Sequence, residues 1–161
     1  MSTLKPVPDG FHTVTPYLAI KGAVQAIDFY KRAFGAQERF RLPGPDGKSV
    51  GHAEIVVGDS ILMLADEMPE YGNRSPQSLN GTPVFFGLYV TDVDASFQKA
   101  LAAGAKVVKP LADQFYGDRT GTVLDPFGFI WTLMTHKEDV VPEELNRRLT
   151  AEYAKMKAGK K

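Results

Sequence analysis

The sequence has no cysteine, which excludes disulfides, thiolate metal sites and a cysteine nucleophile. It has no excess of charge, with 19 Lys+Arg against 19 Asp+Glu. A dedicated nucleic-acid binder carries a strong basic field, so no nucleic-acid partner is expected. Its longest apolar run falls far short of the roughly 20 residues that cross a bilayer, so no membrane partner is expected either. Met1 to Phe11 has no apolar stretch of the kind found in signal peptides, and the expected location is the cytoplasm. What is there is ordinary globular composition: 161 residues, 43% hydrophobic, 24% charged. That is enough chain for one domain, or for two small modules sharing a core.

Residues 1–12 are polar and broken by proline, and read as an extended arm. Thr13 to Ile20 is rich in β-formers, with Pro16 demoting it towards an edge. Ala23, Ile27, Tyr30 and Phe34 then recur at helical spacing until Gly35 stops the run. Gln37 to Leu42 alternates as a strand does, and two prolines and two glycines make 43–48 a turn. Gly51 to Val57 and Ser60 to Asp66 flank Gly58-Asp59, which reads as a two-residue hairpin turn. Residues 67–82 are turn-rich and aperiodic, a linker, after which the order repeats. Val84 to Val90 reads as a strand, and Val93, Phe97, Ala100 and Leu101 as a helix between Thr91 or Asp92 and Gly104. A strand opens at Val107-Val108, and Thr120 to Leu124 and Phe129 to Thr135 form a hairpin across Asp125–Gly128. Agreement of element order over about 60–70 residues implies duplicated packing. The expected class is α+β: two βαβββ modules, 13–66 and 84–135, within a single domain over 1–141, then a helical tail over 142–161. In that tail Leu145, Leu149, Tyr153 and Met156 form one stripe.

The doubled βαβββ order, the FY-x-x-x-FG closing the first helix and the DPFG-x-x-W of the last hairpin resemble the vicinal oxygen chelate superfamily. The likeness is strongest to its glyoxalase/bleomycin-resistance-like branch, which includes PhnB-like proteins. The matching stretches run from Thr15 to about residue 135. The resemblance implies that each module's sheet curls into half of a cup and that the halves face each other around a central cavity. It also implies a metal site on the first and last strands of each module. Those positions fall here on Thr15, Met63, Phe85 and Thr132. None is a competent ligand set, since a divalent ion needs imidazole, carboxylate or thiolate donors. No cofactor is therefore expected.

Strand alternation nominates the cavity lining. If Val57 opposes Ser60, then Glu54 opposes Met63, and His52 shares their face. If Leu124 opposes Phe129, then Arg119 opposes Met134 and Gly121 opposes Thr132. The expected lining is Thr15, Tyr17, His52, Glu54, Met63, Phe85, Tyr89, Arg119, Thr132 and Met134. An apolar, aromatic cup with a few convergent polar groups is the usual recipe for a small-molecule site. His52 and Glu54 suit acid/base work or a relocated divalent metal, and equally read as a structural histidine and a solvated carboxylate. Arg119 reads as a fork for an anion, or as the ion-pair partner of Asp118 or Glu54. His12 and His136 read as solvent or interface residues, and Trp131 as packing between sheet and helix.

Three functions remain. One is metal-free binding of a small, partly apolar or aromatic molecule. Another is a lyase, isomerase or dioxygenase of the glyoxalase group using His52 and Glu54. The last is a regulatory module with a vestigial cavity. A homodimer is expected, because the cup leaves sheet edges and an apolar helix stripe to cover.

Overall fold

The computed structural model describes residues 4–158; residues 1–3 of the arm and 159–161 of the tail lie outside the described residues. Strand β1 (Tyr17–Ile20) leads into helix α1 (Ala23–Phe34), followed by β2 (Gln37–Pro43), β3 (Val50–Val57) and β4 (Ser60–Asp66). The linker holds a 3-10 turn at Pro69–Tyr71 and a short helix α2 (Pro76–Leu79). The second module repeats the order as β5 (Phe85–Tyr89), α3 (Val93–Ala103), β6 (Lys106–Asp113), β7 (Asp118–Leu124) and β8 (Ile130–His136). Helix α4 (Pro142–Ala158) is the last element among the described residues. Each module forms a four-stranded mixed sheet, ordered β1-β4-β3-β2 and β5-β8-β7-β6. The α+β duplication expected from sequence is the observed architecture.

The punctuation works locally as read. Gly35 and Gly104 close α1 and α3 in left-handed conformation, where a side chain is strained. Asp92 caps α3, accepting from the Ala95 amide. β1 is shorter than expected, starting after Pro16, whose ring supplies no N–H to a ladder. The Gly58-Asp59 hairpin has the counted register, with Val57 opposite Ser60 and Glu54 opposite Met63.

The DPFG hairpin does not. Leu124 pairs with Ile130, so five residues rather than four form the loop. The cause is Asp125, whose carboxylate accepts from the amides of Phe127 and Phe129 at 2.8 and 2.9 Å. One residue of slip reverses every side chain on one strand relative to the other. Arg119 therefore pairs with Thr135, while Thr120 faces Met134 and Thr122 faces Thr132.

The core decides how the modules meet. Helices α1 and α3 pack on each other, and the contiguous apolar core runs through both. Phe34 and Tyr30 of α1 lie 4.6 and 5.5 Å, ring to ring, from Trp131 of β8. Trp131 thus packs between sheet and helix. The modules are glued by their helix-bearing faces, and their other faces look outwards. The expectation that the two halves face each other around one cavity is corrected: the sheets are open. Edge strands β1 and β5 are unpaired on one side.

Candidate functional site

The first sheet presents the best-organised polar cluster on its open face. Tyr17 of β1, Met63 of β4, Glu54 of β3 and Phe40 of β2 are in cross-strand register. The Tyr17 hydroxyl lies 2.9 Å from Nδ1 of His52. Nε2 of His52 lies 3.7 Å from Glu54 Oε1, and Arg39 Nη1 lies 3.1 Å from Glu54 Oε2. The rings of Tyr17 and Phe40 flank the imidazole, each with centroids 5.5 Å away. Glu54 is 8% exposed, whereas Tyr17 is 48% exposed and open to a ligand. Partial burial raises the Tyr17 pKa, so the phenol keeps its proton at neutral pH.

Arg39 and Phe40 were missed by alternation, because they are neighbours that reach the same site. A bulge between Glu38 and Phe40 shifts the register, and Arg39 is the extra residue. Bulges re-aim side chains in this way. The charged-aromatic run Glu38-Arg39-Phe40-Arg41 was the available signal, since strict alternation would have sent Arg39 away from Glu54.

The second sheet carries the other expected residues on a separate open face. Tyr89 registers with Met134, and Phe85 with Ile130. Phe85 and Tyr89 are 65% and 63% exposed. Thr132 shares a 3.1 Å hydroxyl contact with Thr122. Thr15 lies before β1, and its hydroxyl donates to the His12 carbonyl at 3.0 Å. Thus Tyr17, His52, Glu54 and Met63 come together on one sheet, and Phe85, Tyr89, Thr132 and Met134 on the other. Arg119 joins neither set: its guanidinium is held by Asp94 of α3, both contacts at 2.7 Å, and by Asp113 at 3.2 Å. The expectation that Arg119 lines the cavity is corrected by the longer DPFG loop. Two clefts of about 470 and 490 Å³ share Val14 and Pro16, ahead of β1, and Phe86 of β5, and neither is lined by His52 or Glu54.

A further cluster closes one end of the second sheet. The buried Asp118 accepts from the Tyr89 hydroxyl at 2.9 Å and contacts His136 Nδ1 at 2.8 Å. Nε2 of His136 faces Asp139 at 3.0 Å. The Asp118 and Asp139 carboxylates raise the His136 pKa. With both nitrogens taken, His136 is a clamp between strand and following strap rather than a free base. The strap then anchors α4, whose Arg148 binds Glu138 at 2.7 and 2.8 Å. No α4 residue is buried, and Tyr153 and Met156 of its stripe are exposed.

The four positions that the resemblance assigns to metal ligands hold Thr15, Met63, Phe85 and Thr132, with no imidazole or carboxylate among them. At His52 and Glu54, the Arg39 guanidinium already supplies the positive charge beside the carboxylate. Among the described residues, no three His, Asp or Glu side chains converge as an ion site. These residues do not fit the family's divalent metal.

The sequence pattern of the Glyoxalase/Bleomycin resistance protein/Dioxygenase superfamily matches residues 11–133. The chain belongs to that superfamily. An uncharacterized protein of Mycobacterium tuberculosis is 46% identical over 142 residues, spanning 86% of this chain and 83% of the relative. Among solved structures, TioX from Micromonospora sp. ML1 is similar at 29% identity and TM-score 0.60, covering 78% of this chain and 98% of that one. A PhnB protein from Bacillus cereus shares the fold at TM-score 0.60 and 18% identity, covering 77% of this chain and 99% of its own.

Proposed function

We propose that this glyoxalase-superfamily chain binds a small, partly apolar or aromatic molecule on the open face of its first sheet, without a metal ion. The observation that carries the reading is the Tyr17–His52–Glu54–Arg39 chain. It is internally satisfied at its buried end and ends outwards in a half-exposed phenol beside Met63, with Phe40 against the imidazole. An apolar surround with a few fixed polar groups is what orients a small ligand. The same geometry favours a second reading, acid/base lyase or isomerase chemistry at His52, because the imidazole touches a group that reaches the open face.

The second copy belongs to the proposal. Phe85 and Tyr89 on one sheet, Tyr17 and Phe40 on the other, and the free edges of β1 and β5 are surfaces that a monomer leaves wet. A homodimer covers them. Equilibrium dialysis of purified protein against an aromatic library tests the binding, and Ala variants of Tyr17, His52 and Phe40 should each weaken it without lowering the melting temperature. Added Ni, Zn, Mn or Fe should not raise that temperature; a clear rise with any of them rejects the metal-free reading.

A further inference from the structure

The Tyr17–His52–Glu54 chain constrains which protons a ligand meets, and this deepens the proposed function, on which it rests. At 3.7 Å the Glu54 carboxylate is too far from His52 Nε2 for a hydrogen bond, but it is the negative charge on that side of the ring and favours the tautomer with the proton on Nε2. In the neutral imidazole Nδ1 is then bare, and the Tyr17 hydroxyl, 2.9 Å away, donates inwards to it. Tyr17 therefore shows an incoming ligand only the lone pairs of its oxygen. A hydroxyl on the ligand donates to that oxygen, and its proton has a continuous path inwards.

We propose that the site selects an aromatic hydroxyl and holds it as the oxyanion, with the proton stored on His52. The ligand O–H bond breaks as its proton moves to Tyr17 Oη, and the Tyr17 proton moves to His52 Nδ1. The imidazolium lies between the Tyr17 oxygen and Glu54, and Tyr17 ends as a phenol donating outwards to the ligand's oxyanion. No electron leaves or enters. Charge separates by one proton, with the imidazolium between Glu54 and the Tyr17 oxygen and the oxyanion held by the Tyr17 hydroxyl.

The charged and titratable groups around His52 suit this shift. β1 offers Tyr17, β3 offers Glu54, and β2 offers Arg39 through Glu54, with Phe40 alongside; β4 contributes the apolar Met63. Burial raises the Tyr17 pKa, so Tyr17 passes a proton on rather than resting as phenolate. A non-ionisable aromatic of the same shape fills the same apolar surround but transfers nothing.

The test uses the full chain with para-nitrophenol, whose oxyanion is yellow, and nitrobenzene as the non-ionisable probe. At a pH about one unit below the dye's own pKa, about half or more of the bound dye should show the oxyanion band, its apparent acidity raised at least about tenfold, a shift of about one pKa unit. Tyr17→Phe and His52→Gln, compared at dye concentrations that saturate each variant, should keep thermal stability but lose the colour. If nitrobenzene binds and the wild-type dye stays colourless, or if Tyr17→Phe keeps the colour, proton transfer is overturned while the binding reading stands. If neither probe binds, the reading and the proposal fall together.

Discussion

Removing the Asp125 carboxylate should be among the most damaging small changes in this protein. Asp125 sits at the start of the DPFG loop, 3% exposed, and accepts four hydrogen bonds. Two come from the Phe127 and Phe129 amides, and two, both at 2.9 Å, from the Tyr30 hydroxyl and the Trp131 indole. Tyr30 is on α1 of the first module, so this side chain ties the modules together. In Asp125→Ala the two aromatic donors, both buried, are left without partners. An unsatisfied buried donor costs about 1–3 kcal/mol, giving about 2–6 kcal/mol in all. Burial also raises the Asp125 pKa despite the four donors, so relief of a desolvated charge offsets part of the loss. A net cost of about 2–4 kcal/mol is a large share of a typical 5–15 kcal/mol. Urea unfolding followed by Trp131, the only tryptophan, measures it directly. Tyr30→Phe removes one of the donors, so the double variant should lose less than the sum of the single losses. A cost below about 1 kcal/mol, or strict additivity, would refute the account.

The other expectations are simpler. Arg119→Ala should leave aromatic binding unchanged, because its guanidinium lies on Asp94 and Asp113 away from the open face; a large drop in a dialysis measurement contradicts the observed register. Gly121→Ala places a Cβ 2.5 Å from the Phe97 ring and should cost about 1–3 kcal/mol by overpacking, read by chemical denaturation. The His136 pKa is raised above its ordinary 6.5, so the stability from its contacts is fully present below that pH and is lost as pH rises through the folded value. His136→Gln should flatten that limb of a melting-temperature profile, and an unchanged profile argues against the clamp. Sedimentation should show the full chain as a dimer. A chain ending at Asp139 that also sediments as a dimer takes α4 out of the interface, whereas two monomers refute the dimer.

Sequence alone determined the elements, their order and their duplication, because these rest on interactions within a few residues. Helical spacing at Ala23, Ile27, Tyr30 and Phe34, stops at Gly35 and Gly104, and the Gly58-Asp59 turn are local facts. It also placed His52, Glu54, Met63 and Tyr17 on one face, since the turn between β3 and β4 was counted correctly and β1 pairs directly with β4. The second module's site was less legible. One extra loop residue, stabilised by the Asp125 side chain and not by any backbone pattern, turned Arg119 to the helix side of the sheet, onto Asp94. The bulge that brings Arg39 to Glu54 is likewise invisible to period counting. Which faces of the two sheets would meet was decided only in three dimensions. The bond from Tyr30 to Asp125 spans 95 residues, and the packing of α1 on Trp131 joins the modules back to back. Periodicity tells which side of a strand is apolar; it does not tell which apolar surface another part of the chain will reach first, and here the helix faces took the core and left the sheets open.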